Sequence, residues 1–354
     1  MKRLPAPPRG RAARSNPDNR YAAWQREVVD DGWDSEAEVA PLPTRWQADA
    51  SRTLIAYNDS PDIPFDRSVN PYRGCEHGCI YCYARPSHAW LDLSPGLDFE
   101  TRLFYKPDAA RLLRAELAHP NYRPAPIALG ANTDAWQPGE RQFRLTRSIL
   151  EVAAEFGHPI CVNTKSALIE RDLDLLVRLA EQHLVHVGIS LTTLDRELAR
   201  RMEPRASAPQ RRLETIRRLA AAGVPVRAMV APIIPFLNDA ELEDLLAAAR
   251  TAGAYDARYS LLRLPHELGE LFTDWLEAHY PEKGRRVLNR LRDCHSGRLY
   301  DARFGQRLSG SGPYAELLEQ RFQRVYRRLG FAEFPPLDIS HFRVPGRGEQ
   351  LALF

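Results

Sequence analysis

The chain has 354 residues, a formal net charge of +3, and 44% hydrophobic and 27% charged residues. That is the make-up of a soluble globular protein with one large or two modest domains at roughly 150 residues each. No apolar run approaches the ~18–20 residues of a membrane span, the basic N-terminus (MKRLPAPPRGRAARSNPDNR) lacks the apolar stretch of a secretory signal, and five cysteines are too few for a disulfide scaffold, so a cytoplasmic protein with no membrane partner is expected.

Residues 1–60 read as an extension. They mix Pro, Gly, Arg and Asn, then turn acidic (Asp30, Asp31, Asp34, Glu36, Glu38). Their apolar periodicity is weak, so the segment is expected to be partly flexible or draped on the main domain. The main domain is expected over 61–265, where short apolar strands alternate with amphipathic helices. One strand leads into Cys75. A helix near Asp108–Leu117 precedes a strand at Pro126–Gly130. Then come a helix at Thr146–Phe156, a strand at Pro159–Asn163 and a helix at Arg171–Glu181. A strand at Leu184–Leu191, a helix at Pro209–Ala222, a strand at Val224–Val230, a helix at Asp239–Ala252 and a strand near Ala257–Leu262 follow. This alternation predicts an α/β fold with a parallel sheet and helical crossovers. Six units suit an open, partial (β/α)6 barrel better than a closed eightfold one. Residues 266–336 read as mainly helical, and 337–354 as a polar tail with an apolar tip.

Three cysteines, Cys75, Cys79 and Cys82, fall within eight residues at C-x3-C-x2-C spacing. Three thiolates on one tight loop can hold three irons of a [4Fe–4S] cluster and leave the fourth open to a small chelating ligand. The alternative is structural zinc, which normally takes four protein ligands; His77 inside the loop is the nearest candidate for the fourth. Gly74 and Gly78 let the backbone wrap closely. Cys161 and Cys294 are isolated, and Cys294-His295 reads as structural.

The spacing, with Tyr81 just before the last cysteine, resembles the radical S-adenosylmethionine (SAM) signature. The resemblance covers roughly residues 66–265. Within it, Cys75–Tyr83 (CEHGCIYCY), Thr133–Glu140 (TDAWQPGE), Asn163–Arg171 (NTKSALIER) and Val230–Asp239 (VAPIIPFLND) are similar to the spore-photoproduct-lyase-like branch. The resemblance implies a barrel of the radical SAM type and two cofactors, a [4Fe–4S] cluster and SAM. It implies one-electron cleavage of SAM to methionine and a 5′-deoxyadenosyl radical that abstracts hydrogen from a substrate, and an electron donor such as a flavodoxin or ferredoxin. The lyase uses an extra cysteine as hydrogen donor after its second strand. The matching segment here, Leu129–Pro138, contains none, so spore photoproduct repair itself is not expected.

Strand parity places further candidates. Val185, Val187, Ile189 and Leu191 share one face, and His186, Gly188, Ser190 and Thr192 the other. The polar set should line the barrel lumen, with Cys161, Asn163, Lys165, Arg227 and Met229. Barrel sites sit at the C-terminal ends of strands, which gathers Asn132, Lys165, Ser190 and Thr192 at the rim where the cysteine loop emerges. Lys165 is a candidate partner for the SAM carboxylate, and Ser190 for a hydrogen bond to it; the resemblance points the same way. Tyr81 is placed to touch the adenine or the cluster edge. His186 reads as a satisfied lumen histidine, and Arg227 as either an anion site or a core ion pair.

Two features lie outside the barrel. From Lys283 to Arg328 there are 12 basic residues against four acidic ones, a candidate phosphate-facing surface or simply a solvated helical face. The chain ends Gln350-Leu351-Ala352-Leu353-Phe354, which resembles the peptide by which bacterial polymerases and repair proteins dock on the replication sliding clamp. The expected function is therefore a radical SAM enzyme acting on nucleic acid, DNA or RNA, in a DNA-repair-like role. The alternatives are radical modification of a protein or small metabolite, and a non-catalytic metal-containing module that binds partners.

Overall fold

The computed structural model describes residues 10–17, 20–21 and 42–346. Gln350, Leu351, Leu353 and Phe354, the candidate docking residues, lie outside the described residues, as does the acidic stretch.

Among the described residues ten strands form two sheets. They are β1 (Arg45–Ala48), β2 (Ile55–Tyr57), β3 (Arg67–Val69), β4 (Tyr72–Arg73), β5 (Arg102–Tyr105), β6 (Ile127–Leu129), β7 (Ile160–Thr164), β8 (Val185–Ser190), β9 (Val226–Ile233) and β10 (Asp256–Leu261). Seven make the main sheet, in the order β10-β9-β8-β7-β6-β3-β2; β1, β5 and β4 make a small one. From β3 to β10 every neighbouring pair is parallel, and β2 joins antiparallel at the edge. Helices carry the crossovers: Leu145–Phe156, Leu173–Ala180, Arg196–Met202 with Pro209–Ala221, and Leu242–Thr251. The six expected parallel strands are thus all present, and the sheet is that of a partial barrel whose outer strands do not meet.

The alternation of β-branched residues sets the two faces. Ile160, Val162, Val185, Val187, Ile189, Val226, Ala228 and Val230 are buried in the main core, while Cys161, Asn163, His186, Arg227 and Met229 are less covered and line the lumen. Register stacks the lumen residues in layers. Cys161 pairs with His186; Asn163, Gly188, Arg227 and Asp256 follow; Ser190, Met229 and Arg258 stand above them towards the rim.

The helices Leu268–His279, Pro281–Cys294 and Pro313–Arg328 follow β10. The loop before the last of them spans the open side of the barrel. Leu261 N–H donates to Leu308 O at 2.8 Å, and Arg307 Nε and Gly305 N–H reach the Asp62 carboxylate at 2.6 and 2.7 Å. Past the last helix the chain runs under the N-terminal ends of the strands. Ala332, Asp338 and Arg343 N–H donate to the carbonyls of Tyr255, His183 and Phe156, and Phe342 packs on Phe156, His158 and Tyr122. Phe334 closes the lumen from below, stacked 4.3 Å from His186 and lying 4.7 Å under the Arg227 guanidinium. So 337–344, part of the expected tail, is packed against the barrel by its aromatic and backbone contacts.

Residues 42–60 are also more built than a plain extension: β1 pairs with β5 and β2 with β3. Among the described residues no helix is long and apolar enough to cross a membrane.

Candidate active site

The cysteine loop follows β4. Cys75 and Cys79 are buried and Cys82 is half-buried. The loop turns at Gly74 (φ +75°) and Gly78 (φ +65°), where a Cβ would stand 2.4 Å from the Leu103 side chain and 2.8 Å from Glu100 Oε2; only glycine fits.

A buried ion pair holds the turn. Arg85 and Glu100, both fully buried, meet at 2.5 Å. Arg85 also donates to the carbonyls of Cys79 (2.8 Å), Gly78, Pro95 and Gly96 (each 3.0 Å). The Glu100 carboxylate accepts the N–H groups of Ala12 and Ala13 at 3.2 and 3.0 Å, and Arg11 donates to its backbone carbonyl. The TDAWQPGE segment holds the loop from the other side. Thr133 Oγ1 donates to Gly74 O at 2.8 Å, and Gln137 Oε1 accepts Glu76 N–H at 2.8 Å. Asp134 binds Thr164 Oγ1 and Lys165 N–H at the end of β7, and stands 3.2 Å from His77 Nδ1. Burial pushes its pKa up, but His77 and these donors outweigh burial, and its pKa falls below the usual carboxylate range.

Burial raises the Cys75 thiol well above its ordinary value and the Cys79 thiol to about 12; the charge of a bound metal would favour their thiolate forms. Among the described residues no three His, Cys, Asp or Glu side chains converge on one metal ion. A single zinc needs that convergence, whereas the separate corners of an iron–sulfur cubane do not. Three sulfur donors on a cradle this tight fit the cluster.

Beside the loop lies a second buried network. The Tyr81 hydroxyl is hydrogen-bonded to the Glu203 carboxylate and lies 3.2 Å from Thr192 Oγ1, which donates to Glu203 at 2.8 Å. Arg212, also buried, pairs with Glu203 and donates to Ser190 O at 3.2 Å and Ser207 O at 2.7 Å. Burial alone would raise Glu203; Arg212 and Lys165 hold it down at about 2. Lys165 Nζ is 3.4 Å from Ser190 Oγ and 5.7 Å over the Tyr81 ring. Burial disfavours its charge, but the Cys79 sulfur, once a thiolate, and the Glu203 carboxylate outweigh burial, and its pKa is raised. Among the described residues no carboxylate comes within ion-pair distance of it.

Tyr81, Lys165, Ser190 and Thr192 are therefore neighbours at the rim. Asn132 stands apart: its backbone N–H binds Asn70 Oδ1 at 2.7 Å and its side chain is exposed. Arg227 is in an ion pair with Asp256 at 2.6 Å, and burial with nearby Arg227 lowers His186 to about 4. Sequence reading missed Glu203, Arg212, Asp134, Gln137, Arg85 and Glu100. The only sequence signal was that Asp134, Gln137 and Arg85 lie within or next to the motifs.

Residues 69–249 match the family model of the Radical SAM superfamily. An uncharacterized protein of Mycobacterium tuberculosis (strain ATCC 25618 / H37Rv) is 38% identical over 288 residues, 80% of this chain and 81% of that one. An uncharacterized protein of Methanocaldococcus jannaschii is 26% identical over 223 residues, 63% of this chain and 79% of that one. Spore photoproduct lyase complexed with dinucleoside spore photoproduct has the same fold, with a TM-score of 0.56 at 18% identity over 81% of this chain and 80% of that one. A variant of that lyase with bound AdoMet and the dinucleoside matches equally. The matched segment begins at the end of β3, takes in the cysteine loop and reaches into the helix after β9, and on it the chain belongs to the Radical SAM superfamily.

Proposed function

We propose that this enzyme holds a [4Fe–4S] cluster on Cys75, Cys79 and Cys82, binds SAM at the rim beside it, and acts on nucleic acid. The observation that carries the reading is the cysteine loop standing next to a half-buried rim lysine that has no carboxylate within ion-pair distance among the described residues. When bound, the cluster supplies the single electron that splits SAM. Lys165 neutralises the SAM carboxylate and Ser190 hydrogen-bonds it. Tyr81 offers its ring face, its hydroxyl being fixed by Glu203 and Thr192. Thr192 acts through that network, and Asn132 is an outer polar contact. The Arg212–Glu203 pair keeps the rim rigid and dry.

Nucleic acid is favoured by the fold shared with a lyase that holds a dinucleoside. The absence of a cysteine in Leu129–Pro138 argues for a different reaction on that substrate class. A flavodoxin or ferredoxin as electron donor and docking of the apolar tip on a sliding clamp go with the repair-like reading, as does a cytoplasmic location. Membership of an enzyme superfamily removes the non-catalytic module.

Lys165→Ala is expected to keep the iron and the fold but weaken SAM binding about ten- to hundredfold, roughly 1.5–3 kcal/mol, as a carboxylate loses its charged partner. Calorimetric titration checks this, and unchanged affinity would remove Lys165 from the site. For the substrate, reduced enzyme is incubated with SAM and either deuterated DNA and RNA or deuterated protein and metabolite extract. Deuterium in 5′-deoxyadenosine is expected from the nucleic acid. Deuterium from the extract alone would move the reaction to a protein or metabolite.

A further inference from the structure

The basic run after residue 283 gains a definite geometry in the fold. On the helix Pro281–Cys294 the buried stripe is Gly284, Val287, Leu291 and Cys294. Lys283, Arg286 and Arg290 each precede a member of that stripe by one position, so they share one flank at i, i+3 and i+7 spacing. All three reach the same residue. Lys283 Nζ donates to Phe236 O at 3.3 Å, and the Arg286 and Arg290 guanidinium groups lie 4.6 and 5.8 Å over the Phe236 ring. Among the described residues the one carboxylate paired with any of them is Asp293, at 3.8 Å from Arg290; Arg303, Arg307 and Arg321 of the same run are closely paired with Asp301, Asp62 and Glu243.

Phe236 is fixed to the active-site rim. It follows β9 with a left-handed φ of 63°, a strained state for an aromatic residue that the surroundings must hold. Asn238, fully buried, does so: it accepts Ile234 N–H at 2.6 Å and donates to Pro232 O and to Thr192 O at the end of β8. The aromatic platform and its cations are therefore tied to the strand ends that carry Ser190 and Thr192.

We propose that Lys283, Arg286 and Arg290, arrayed around Phe236, grip the phosphodiester backbone of a nucleic-acid strand beside the nucleotide that enters the site. The inference rests on the nucleic-acid reading above. Seven residues of helix span about 10 Å, a length of duplex axis over which one strand carries about three phosphates at about 3.4 Å of axis each. Arginine over an aromatic ring is also a surface on which bases stack without regard to sequence.

The test uses the full-length, reconstituted protein and labelled mixed-sequence DNA and RNA, each single-stranded and duplex, across a salt series. Lys283→Gln, Arg286→Gln and Arg290→Gln are combined, which keeps most of each stem in place. Affinity at low salt is expected to fall at least tenfold, and the slope of log K against log salt to shrink by about 2–3 for three lost phosphate contacts. SAM cleavage without DNA should be unchanged. Arg324→Gln with Arg327→Gln and Arg328→Gln on the helix Pro313–Arg328 is the matched control and should leave the slope alone. Binding by the unaltered protein with an unchanged slope in the first variant, or an equal loss in the control, overturns this surface only. Equal affinity for polyglutamate would make it a surface for acidic polymers at large and also overturns it. No binding to DNA or RNA by the unaltered protein overturns both the surface and the nucleic-acid reading.

Discussion

Replacing Cys75, Cys79 or Cys82 singly by alanine is expected to remove the iron and to take 5′-deoxyadenosine formation below detection. Reconstituted protein should carry about four irons and four sulfides per chain. Each sulfur holds a separate corner, and the loop offers no substitute: His77 is engaged by Asp134, and no other thiol shares the loop. Cys161 lies a full layer below the Asn163 level of the lumen, paired in register with His186, and Cys294 is buried in the helical region, so Cys161→Ala and Cys294→Ala should keep the cluster. Iron and sulfide analysis, the visible absorption band and a cleavage assay read the outcome. Full cleavage by any of the three loop variants would end the cluster assignment.

Glu100→Ala should be the most destabilising single change away from the thiols. It leaves the Arg85 guanidinium fully buried without its counter-charge and strips the acceptor from Ala12 and Ala13 N–H. Breaking such a pair from one side costs about 3–5 kcal/mol, which corresponds to a fall in melting temperature on the order of 10 °C. The loss should also loosen the first turn of the cysteine loop, because Arg85 holds the carbonyls of Gly78 and Cys79. Iron retention after dilution should therefore fall with the melting temperature. A thermal melt followed by circular dichroism, with iron content in parallel, checks both; an unchanged melt would show that the pair adds no net stability.

The sequence made the parallel strands and the cysteine loop legible because both are written locally. Alternation in Val185–Ile189 is a period-two signal, and three cysteines in eight residues are a spacing signal. Parity in those strands also brought Lys165 and Ser190 together. What stayed hidden was pairing across distance. Glu203 and Arg212 lie in an ordinary charged stretch, and nothing near them in sequence marks their meeting with Tyr81. Glu100 meets Ala12 and Ala13 across more than eighty residues. β1 is short and mostly exposed, so it lacks the periodicity that would have set it apart from an extension; its partner β5 lies over fifty residues on. Pro345 and Gly346 mark the tail as loose, while Phe342 and Phe334, which decide its path, stand in the sequence as isolated aromatics.

The Phe334 stopper turns the lumen into a cul-de-sac. A tube open at both ends lets a polymer thread through and slide; one blocked below by a ring on His186 and Arg227 admits only what can enter and back out by the same doorway. On the nucleic-acid reading proposed above, a strand would stay outside and present its reacting part as a protrusion, a base swung out of the stack. The depth from the rim to that ring then acts as a ruler on what is inserted. Trimming Phe334 would lengthen the ruler from its closed end, so the range of groups accepted would widen with no change at the doorway itself.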